Sequence, residues 1–278
     1  MPTEIVNLDE RWQAEVLSYL RRSPYRNSLP LANVTQLRAH CDVVLAHYNG
    51  QVVGMASYYR DLPFVATTFA VDLPQTLPLL HTALAEQAPI LHQATLSTVI
   101  PEQRVRQLAA CTTIESVELE MQMVVEPETL RPHSDTRVRR LRSDDLAAMG
   151  ELARGGGLMA WRPAVFDHGP AFGAFVDERL AAMATTHFAT TDVIEIGNVV
   201  THPDFRRQGL ASACVSALAA NCFNLAPRVY LLVMDNNPGA QEAYRKLGFW
   251  PSERFAFVHY QLPLMRAGGG VDEAVLLA

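Results

Sequence analysis

Residues 199–211 read Val199-Val200-Thr201-His202-Pro203-Asp204-Phe205-Arg206-Arg207-Gln208-Gly209-Leu210-Ala211. A β-branched run ends, a proline-containing loop follows, and Gly209 opens a run of small and apolar residues through Cys222. The pattern predicts a strand, a turn and a helix in direct succession. Gly209 and the small Ala211 let a ligand approach the backbone, and the first helical turn offers unpaired N–H groups at the positive end of its dipole. Such a terminus suits a phosphate or pyrophosphate. An ordinary strand-to-helix turn with solvated arginines fits the same residues.

A second stretch lies downstream, Asn237-Pro238-Gly239-Ala240-Gln241-Glu242-Ala243-Tyr244-Arg245-Lys246-Leu247-Gly248-Phe249. Asn237 is a good helix N-cap, Pro238 suits the first helical position and Gly248 suits the position after the end. Ala240, Tyr244 and Leu247 share one helix face. A tyrosine there is either a core residue or a hydroxyl donor into a cleft.

Working outward, Val193–Thr201 reads as the strand before the glycine turn and Val229–Met234 as the strand before the second helix. Ala171–Val176 and Leu180–Phe188 read as strands joined by a turn at residues 177–179. Val138–Leu141 is a strand, and Ser143-Asp144-Asp145 opens a helix through Ala153. Phe255–Gln261 closes the pattern. The first half runs in the same order. A helix spans residues 10–22, and a hairpin joins Val43–His47 to Val52–Tyr59 through Asn49-Gly50. A strand at Phe64–Val71, an apolar-periodic segment at Leu77–Leu84, a strand at Leu96–Ile100, a short helix at Pro101–Ala110 and a strand at Val117–Val125 follow. Glu126–Asp135, with Pro127 and Pro132, reads as a linker. The expected fold class is mixed α/β (an α+β mixed sheet) with an internal duplication.

At 278 residues the chain is long enough for about two domains with their own cores. Its net charge of −6 is uneven. Residues 1–136 carry nine Arg against fifteen acids, and the remainder is balanced. That distribution argues against a nucleic-acid partner, which wants a basic footprint. No apolar run approaches the ~18 residues of a membrane span, and Met1–Asp9 lacks a signal-peptide pattern, so a cytoplasmic protein without a membrane partner is expected. Cys41, Cys111, Cys214 and Cys222 form no C-x-x-C and read as reduced packing residues; no metal site is expected. Lys246 is the only lysine, so no G-K-[ST] phosphate loop exists, and H-E-x-x-H and G-x-S-x-G are absent. Gly155-Gly156-Gly157-Leu158-Met159-Ala160 formally fits G-x-G-x-x-A but follows a helical pattern, which argues against a dinucleotide site.

Taken together, Arg206–Ala211 fits [QR]-x-x-G-x-[GA], and Asn237–Phe249 fits N-x-x-A-x-x-x-Y-x-x-x-G-F. In this the sequence resembles the GNAT superfamily of acyl-CoA-dependent N-acetyltransferases, over roughly residues 137–262. The resemblance implies two GNAT-like domains, each a mostly antiparallel mixed sheet flanked by helices. Residues 1–128 would form a degenerate domain without the signatures, 129–136 a linker, 137–264 the catalytic domain and 265–278 a tail. It implies acetyl-CoA as acyl donor and direct transfer to the primary amine of a small-molecule or peptide acceptor. Val199, Val200 and Thr201 would line the pantetheine arm. Arg206, Arg207, Gln208, Gly209, Leu210 and Ala211 would hold the pyrophosphate, and Asn237 would contact the donor. Tyr244 would protonate the leaving thiolate, and Glu195, opposite Ile194 and Ile196 in the alternation, would be the general base. His187, Asp192 and His202 are weaker base candidates, and Trp161, Arg162, Phe166 and His168 are candidates for the acceptor side. The alternative is a non-catalytic acyl-CoA-binding or protein-interaction module.

Overall fold

The computed structural model describes residues 3–263, so the expected tail at 265–278 lies outside the described residues. The chain divides into two compact units, residues 1–119 with 254–278, and residues 120–253.

The first unit contains β1 (Glu4–Asn7), α1 (Glu10–Leu20), α2 (Ser28–Val34), β2 (Cys41–Tyr48), β3 (Gln51–Tyr59), β4 (Val65–Val71), α3 (Leu77–Gln87), β5 (Leu96–Pro101), α4 (Val105–Ala109) and the start of β6 (Thr113–Val125). The second contains the end of β6, β7 (Val138–Arg140), α5 (Leu146–Gly155), α6 (Val165–His168), β8 (Ala171–Val176), β9 (Arg179–Ala189), β10 (Ile194–Thr201), α7 (Leu210–Cys222), β11 (Val229–Met234), α8 (Pro238–Lys246) and the start of β12 (Trp250–Gln261).

In the first unit the strand order is β1-β2-β3-β4-β5-β12, antiparallel except for β4 with β5. In the second it is β6-β11-β10-β9-β8-β7, antiparallel except for β10 with β11. A parallel pair needs a crossover, and α3 and α7 supply one in each unit. α7 is apolar nearly all round, as a helix buried on most sides must be. Its Leu210, Cys214, Val215, Leu218 and Cys222 pack with Ile194, Ile196, Leu231 and Val233 of the sheet. Cys214 and Cys222 are free and buried there, and burial pushes both thiols up to about 12.

The units do not follow the linear division expected from sequence. Residues 120–125 of β6 pair with β11, from Glu120↔Met234 to Val125↔Val229, and Met123 and Val125 are fully buried beside α7. Residues 255–260 of β12 pair with β5 in the first unit, where Ala256, Val258 and Tyr260 enter the core. Each unit thus includes a strand segment drawn from the opposite half of the chain. Three short elements, β1, α2 and α6, lay outside the sequence reading; α2 begins at Ser28 and has Pro30 in its first turn.

A fragment of residues 120–253 should therefore fold cooperatively in thermal denaturation, whereas residues 130–278 should aggregate. The longer fragment loses Met123 and Val125, each worth about 2–5 kcal/mol on truncation of a large side chain, and bares the edge of β11.

Candidate active site

The site begins where the parallel ladder stops. β10 and β11 pair at Ile194↔Val229, Glu195↔Tyr230 and Ile196↔Leu231, although the strands run on to Thr201 and Met234. Past Ile196, the registered partners of β10 among the described residues are on β9, at Gly197↔Thr185, Val200↔Met183 and Thr201↔Ala182. A bulge lies between Gly197 and Val200, with Asn198 at φ 47° and its side-chain amide donating to Thr185 Oγ1 at 3.0 Å. A bulge bends its strand and adds twist, which turns β10 away from β11. The backbone of Val199–Thr201 therefore lies past the end of the parallel ladder, with no registered β11 partner among the described residues.

Beyond β10, Pro203–Phe205 forms a 3-10 turn, and His202 Nδ1 accepts from the Asp204 amide at 3.3 Å. Arg207 and Gly209 both adopt left-handed backbone, at φ 61° and 79°, immediately before α7. For arginine that conformation costs about 1–3 kcal/mol and is concentrated at ligand-binding loops. Arg206, Arg207, Gln208 and Gly209 are exposed, Ala211 is half-buried, and Leu210 anchors the turn in the core.

The segment expected as a linker flanks this loop. Arg137 donates to Gln208 Oε1 at 3.1 Å and to Asp135 at 2.7 and 2.9 Å. Those Arg137 hydrogen bonds hold the Asp135 carboxyl down at about 2. The His133 amide donates to Ser216 Oγ at 2.9 Å, and a Cβ on Gly209 would lie 3.1 Å from His133 Nε2. At the end of α8, Gly248 has φ 92°, and a Cβ there would sit 1.9 Å from the Thr129 carbonyl oxygen. Only glycine fits that contact.

Glu195 points away from Ile194 and Ile196 and is 9% exposed. Its Oε1 meets His187 Nδ1 at 2.9 Å, and its Oε2 accepts a hydrogen bond from the Tyr230 hydroxyl. His187, a weaker base candidate in the sequence, is brought against Glu195 by a second bulge. Glu195 pairs with Phe188 and Ile196 with Thr186, so His187 is the extra residue of β9. Its ring lies over Gly197, where a Cβ would come within 2.2 Å of Cε1 and Nε2. Burial disfavours the charged imidazole, but the Glu195 contact, Asn198 and Glu120 together raise its pKa above the ordinary histidine value. A glycine inside a strand pattern signals a bulge or a close approach, and Gly197 is the residue that carried this signal.

The other two base candidates are elsewhere. Asp192 sits in the β9–β10 turn, its amide donating to Thr190 Oγ1. His202 is spent on its own turn. On the candidate acceptor side, Arg162 donates to His168 Nε2 at 3.0 Å, and His168 in turn hydrogen-bonds the backbone of His187. Trp161 and Phe166 pack on the core formed by Met149, Leu152 and Val165. The three glycines at 155–157 end α5, and Gly156 lets the chain approach Val200, whose Cγ2 would lie 2.4 Å from a Cβ there.

Tyr244 occupies the opposite face, buried with Leu210, Val233 and Phe249. Burial pushes its hydroxyl up to about 12, so it stays protonated through neutral pH. Asn237 Oδ1 caps α8 by accepting from the Ala240 amide at 3.1 Å. Among the described residues no group of three or more His, Cys, Asp or Glu is placed to hold a metal ion. No described helix is long and apolar enough to cross a membrane.

Residues 136–249 match the model of the Acetyltransferase (GNAT) family. They form a GNAT domain. Acyl transfer is the chemistry of that family. No curated protein sequence matches the chain. Among solved structures, a GCN5-related N-acetyltransferase from Kribbella flavida aligns over 86% of this chain and 95% of its own, with 20% identity and a TM-score of 0.64. A tandem GNAT protein from the clavulanic acid biosynthesis pathway aligns over 96% of this chain and 100% of its own, with 14% identity and a TM-score of 0.62. A GCN5-related N-acetyltransferase from Sphaerobacter thermophilus aligns over 95% and 98%, with 14% identity and a TM-score of 0.62. These likenesses extend the GNAT fold beyond residues 136–249. The six mixed strands of each unit, with one parallel pair apiece, are the duplicated architecture the sequence implied.

Around the GNAT site, one titration checks the geometry directly. Burial and the Arg162 cation hold His168 down at about 4. Its imidazole carbon resonances should stay in the neutral position from pH 8 to about 5. Arg162→Met removes the repelling charge and should raise the NMR midpoint.

Proposed function

We propose that the second unit is an N-acetyltransferase that moves an acetyl group from acetyl-CoA directly to the primary amine of a small molecule or peptide. The observation that carries this reading is the early end of the β10–β11 ladder, with a proton-accepting network on one face and Tyr244 on the other. The family match supports acyl transfer, and these residues support the finer assignment.

The backbone of Val199–Thr201, unpaired on its β11 side among the described residues, suits an extended amide-bearing arm of the donor. The amides of residues 207–211, in a turn with left-handed backbone at Arg207 and Gly209 before α7, suit the pyrophosphate. The carboxylate of Glu195 drives loss of the acceptor proton, and Tyr244 donates to sulfur as it leaves. Asn237 spends its oxygen on the helix cap, leaving its amide N–H groups for the donor.

The first unit is read as a degenerate copy that does not bind CoA. Its own parallel ladder also stops early, at Thr67↔Thr98, but there Arg104 donates to the Phe69 carbonyl at 3.2 Å and so occupies the backbone past the split. The loop before α3 has no glycine; it carries Asp72, paired with Arg22 at 2.8 Å, which would repel a phosphate.

Acetyl-CoA offered with a panel of primary amines, with free thiol as readout, tests the proposal. Amine-dependent thiol release supports it, and donor binding without release under every amine favours a binding module. Within that assay, Gly209→Val should weaken CoA binding at least tenfold, about 1.4 kcal/mol, in calorimetry, because valine is strained at φ 79° and crowds the loop. Tyr244→Phe should leave CoA affinity nearly unchanged and lower turnover by about 10²–10⁴-fold, the usual range for a general acid.

A further inference from the structure

The Glu195 carboxylate is buried, and both of its oxygens are engaged, one by His187 and one by Tyr230. A carboxylate so held is poorly placed to take a proton from an incoming ammonium itself. His187 is the more exposed member of the pair, its side chain about one-third exposed against about one-eighth for Glu195, although Nε2 itself is buried. Its Nδ1 faces Glu195, and its Nε2 has no hydrogen-bond partner among the described residues. A buried polar atom without a partner calls for one, and a catalytic role is among the few explanations. Nε2 also lies over Gly197, one residue past the last β10–β11 pair.

We propose that His187 Nε2 is the group that receives the acceptor proton, and that Glu195, itself fixed by Tyr230, is a positioning residue that holds the ring with its proton on Nδ1. This rests on the acetyltransferase reading above. The arrangement follows the logic of a base oriented by a buried acid.

The proton count closes. The acceptor ammonium gives one proton to Nε2, and the imidazolium formed is paired with the Glu195 carboxylate. The amine nitrogen bonds to the thioester carbonyl carbon, and the C–S bond breaks. The nitrogen sheds a second proton as the amide forms, which balances the one sulfur takes up by way of Tyr244. One proton leaves in net, handed by His187 to water.

The groups facing His187 set its pH behaviour: Glu195 on β10, Tyr230 on β11, Glu120 on β6, His168 on α6 and Asn198 in the bulge. The carboxylates raise its pKa, so kcat should rise with pH through a midpoint above the ordinary histidine value of about 6.5.

The test uses the full chain. His187→Ala should lower kcat by about 10²–10⁴-fold, with CoA affinity retained, and added imidazole should restore at least tenfold of the loss. His187→Gln, which keeps more of the volume over Gly197, covers the case in which the alanine variant fails to fold, and should show a similar loss. Glu195→Gln should keep an acid limb in the kcat profile but move it to lower pH, because the group that raises the histidine pKa is gone. Wild-type kcat in a folded His187 variant, or loss of the acid limb in Glu195→Gln, would make Glu195 the acceptor of the proton and overturn the assignment. The ¹⁵N spectrum of the His187 ring gives a readout independent of activity. Nε2 unprotonated in the neutral ring supports the assignment, and a proton on Nε2 overturns it. A wild-type chain that acetylates no amine would sink the acetyltransferase reading, while the ring spectrum still decides whether Nε2 is held as a base.

Discussion

The constraint on which the second unit depends is a parallel ladder three pairs long between strands of eight and six residues. Antiparallel neighbours on both flanks, β9 and β6, fix the outer edges of β10 and β11, so the strands separate only along their inner edges. The bulge at Gly197–Val200 supplies the bend, and α7 and Leu231 and Val233 supply the packing that keeps the paired end closed. A gap of this kind leaves backbone N–H and C=O groups unpaired by protein, which is costly unless water or a ligand meets them. The first unit shows the same early stop, and there the Arg104 guanidinium satisfies one backbone carbonyl, that of Phe69.

Much of this was legible in local sequence. The glycine turn at Gly209, the Asn237 cap and the Gly248 stop are short-range devices, and the structure realises each with the expected backbone sign or hydrogen bond. The alternation of Ile194, Glu195 and Ile196 put the acid on the face away from α7, as observed. The unit boundaries were not legible, and for a physical reason. β6 and β12 have the alternation of half-buried strands wherever they pair, and nothing within either run records which sheet it joins. The duplication makes the two edges near-equivalent, so the sequence pattern is degenerate between a linear and an exchanged arrangement.

The sequence reading named His187 only as a weaker base candidate, because of the same limit in another form. A one-residue bulge in β9 reverses the face of the residue it adds, and periodicity reads through it. Its partner signals were each non-local: Gly197 across the ladder, Tyr230 on the far strand, and His168 from α6. The loop at Arg162–His168, by contrast, was placed on the acceptor side by fold resemblance alone, and what ties it to the network is one hydrogen bond to the His187 backbone.

On the proposed reading, the placement of the two proton-handling groups gives a split sheet its use. Tyr244 lies in the core with Ile194 and Ile196, and Glu195 projects from the opposite side of the same strand. An intact sheet would separate an acid on one face from a base on the other by a closed hydrogen-bonded layer. Past Ile196 the registered ladder between β10 and β11 ends, so that layer is no longer closed there. On the proposed reading, a thioester lodged there meets the amine from the His187 side and releases sulfur on the Tyr244 side. Keeping the two sites apart also protects their protonation states. Tyr244 is held protonated by apolar burial, with no carboxylate or cation among the groups that shift it. His187 is made more basic by carboxylates. Placed side by side, each would perturb the other toward the state in which it cannot act.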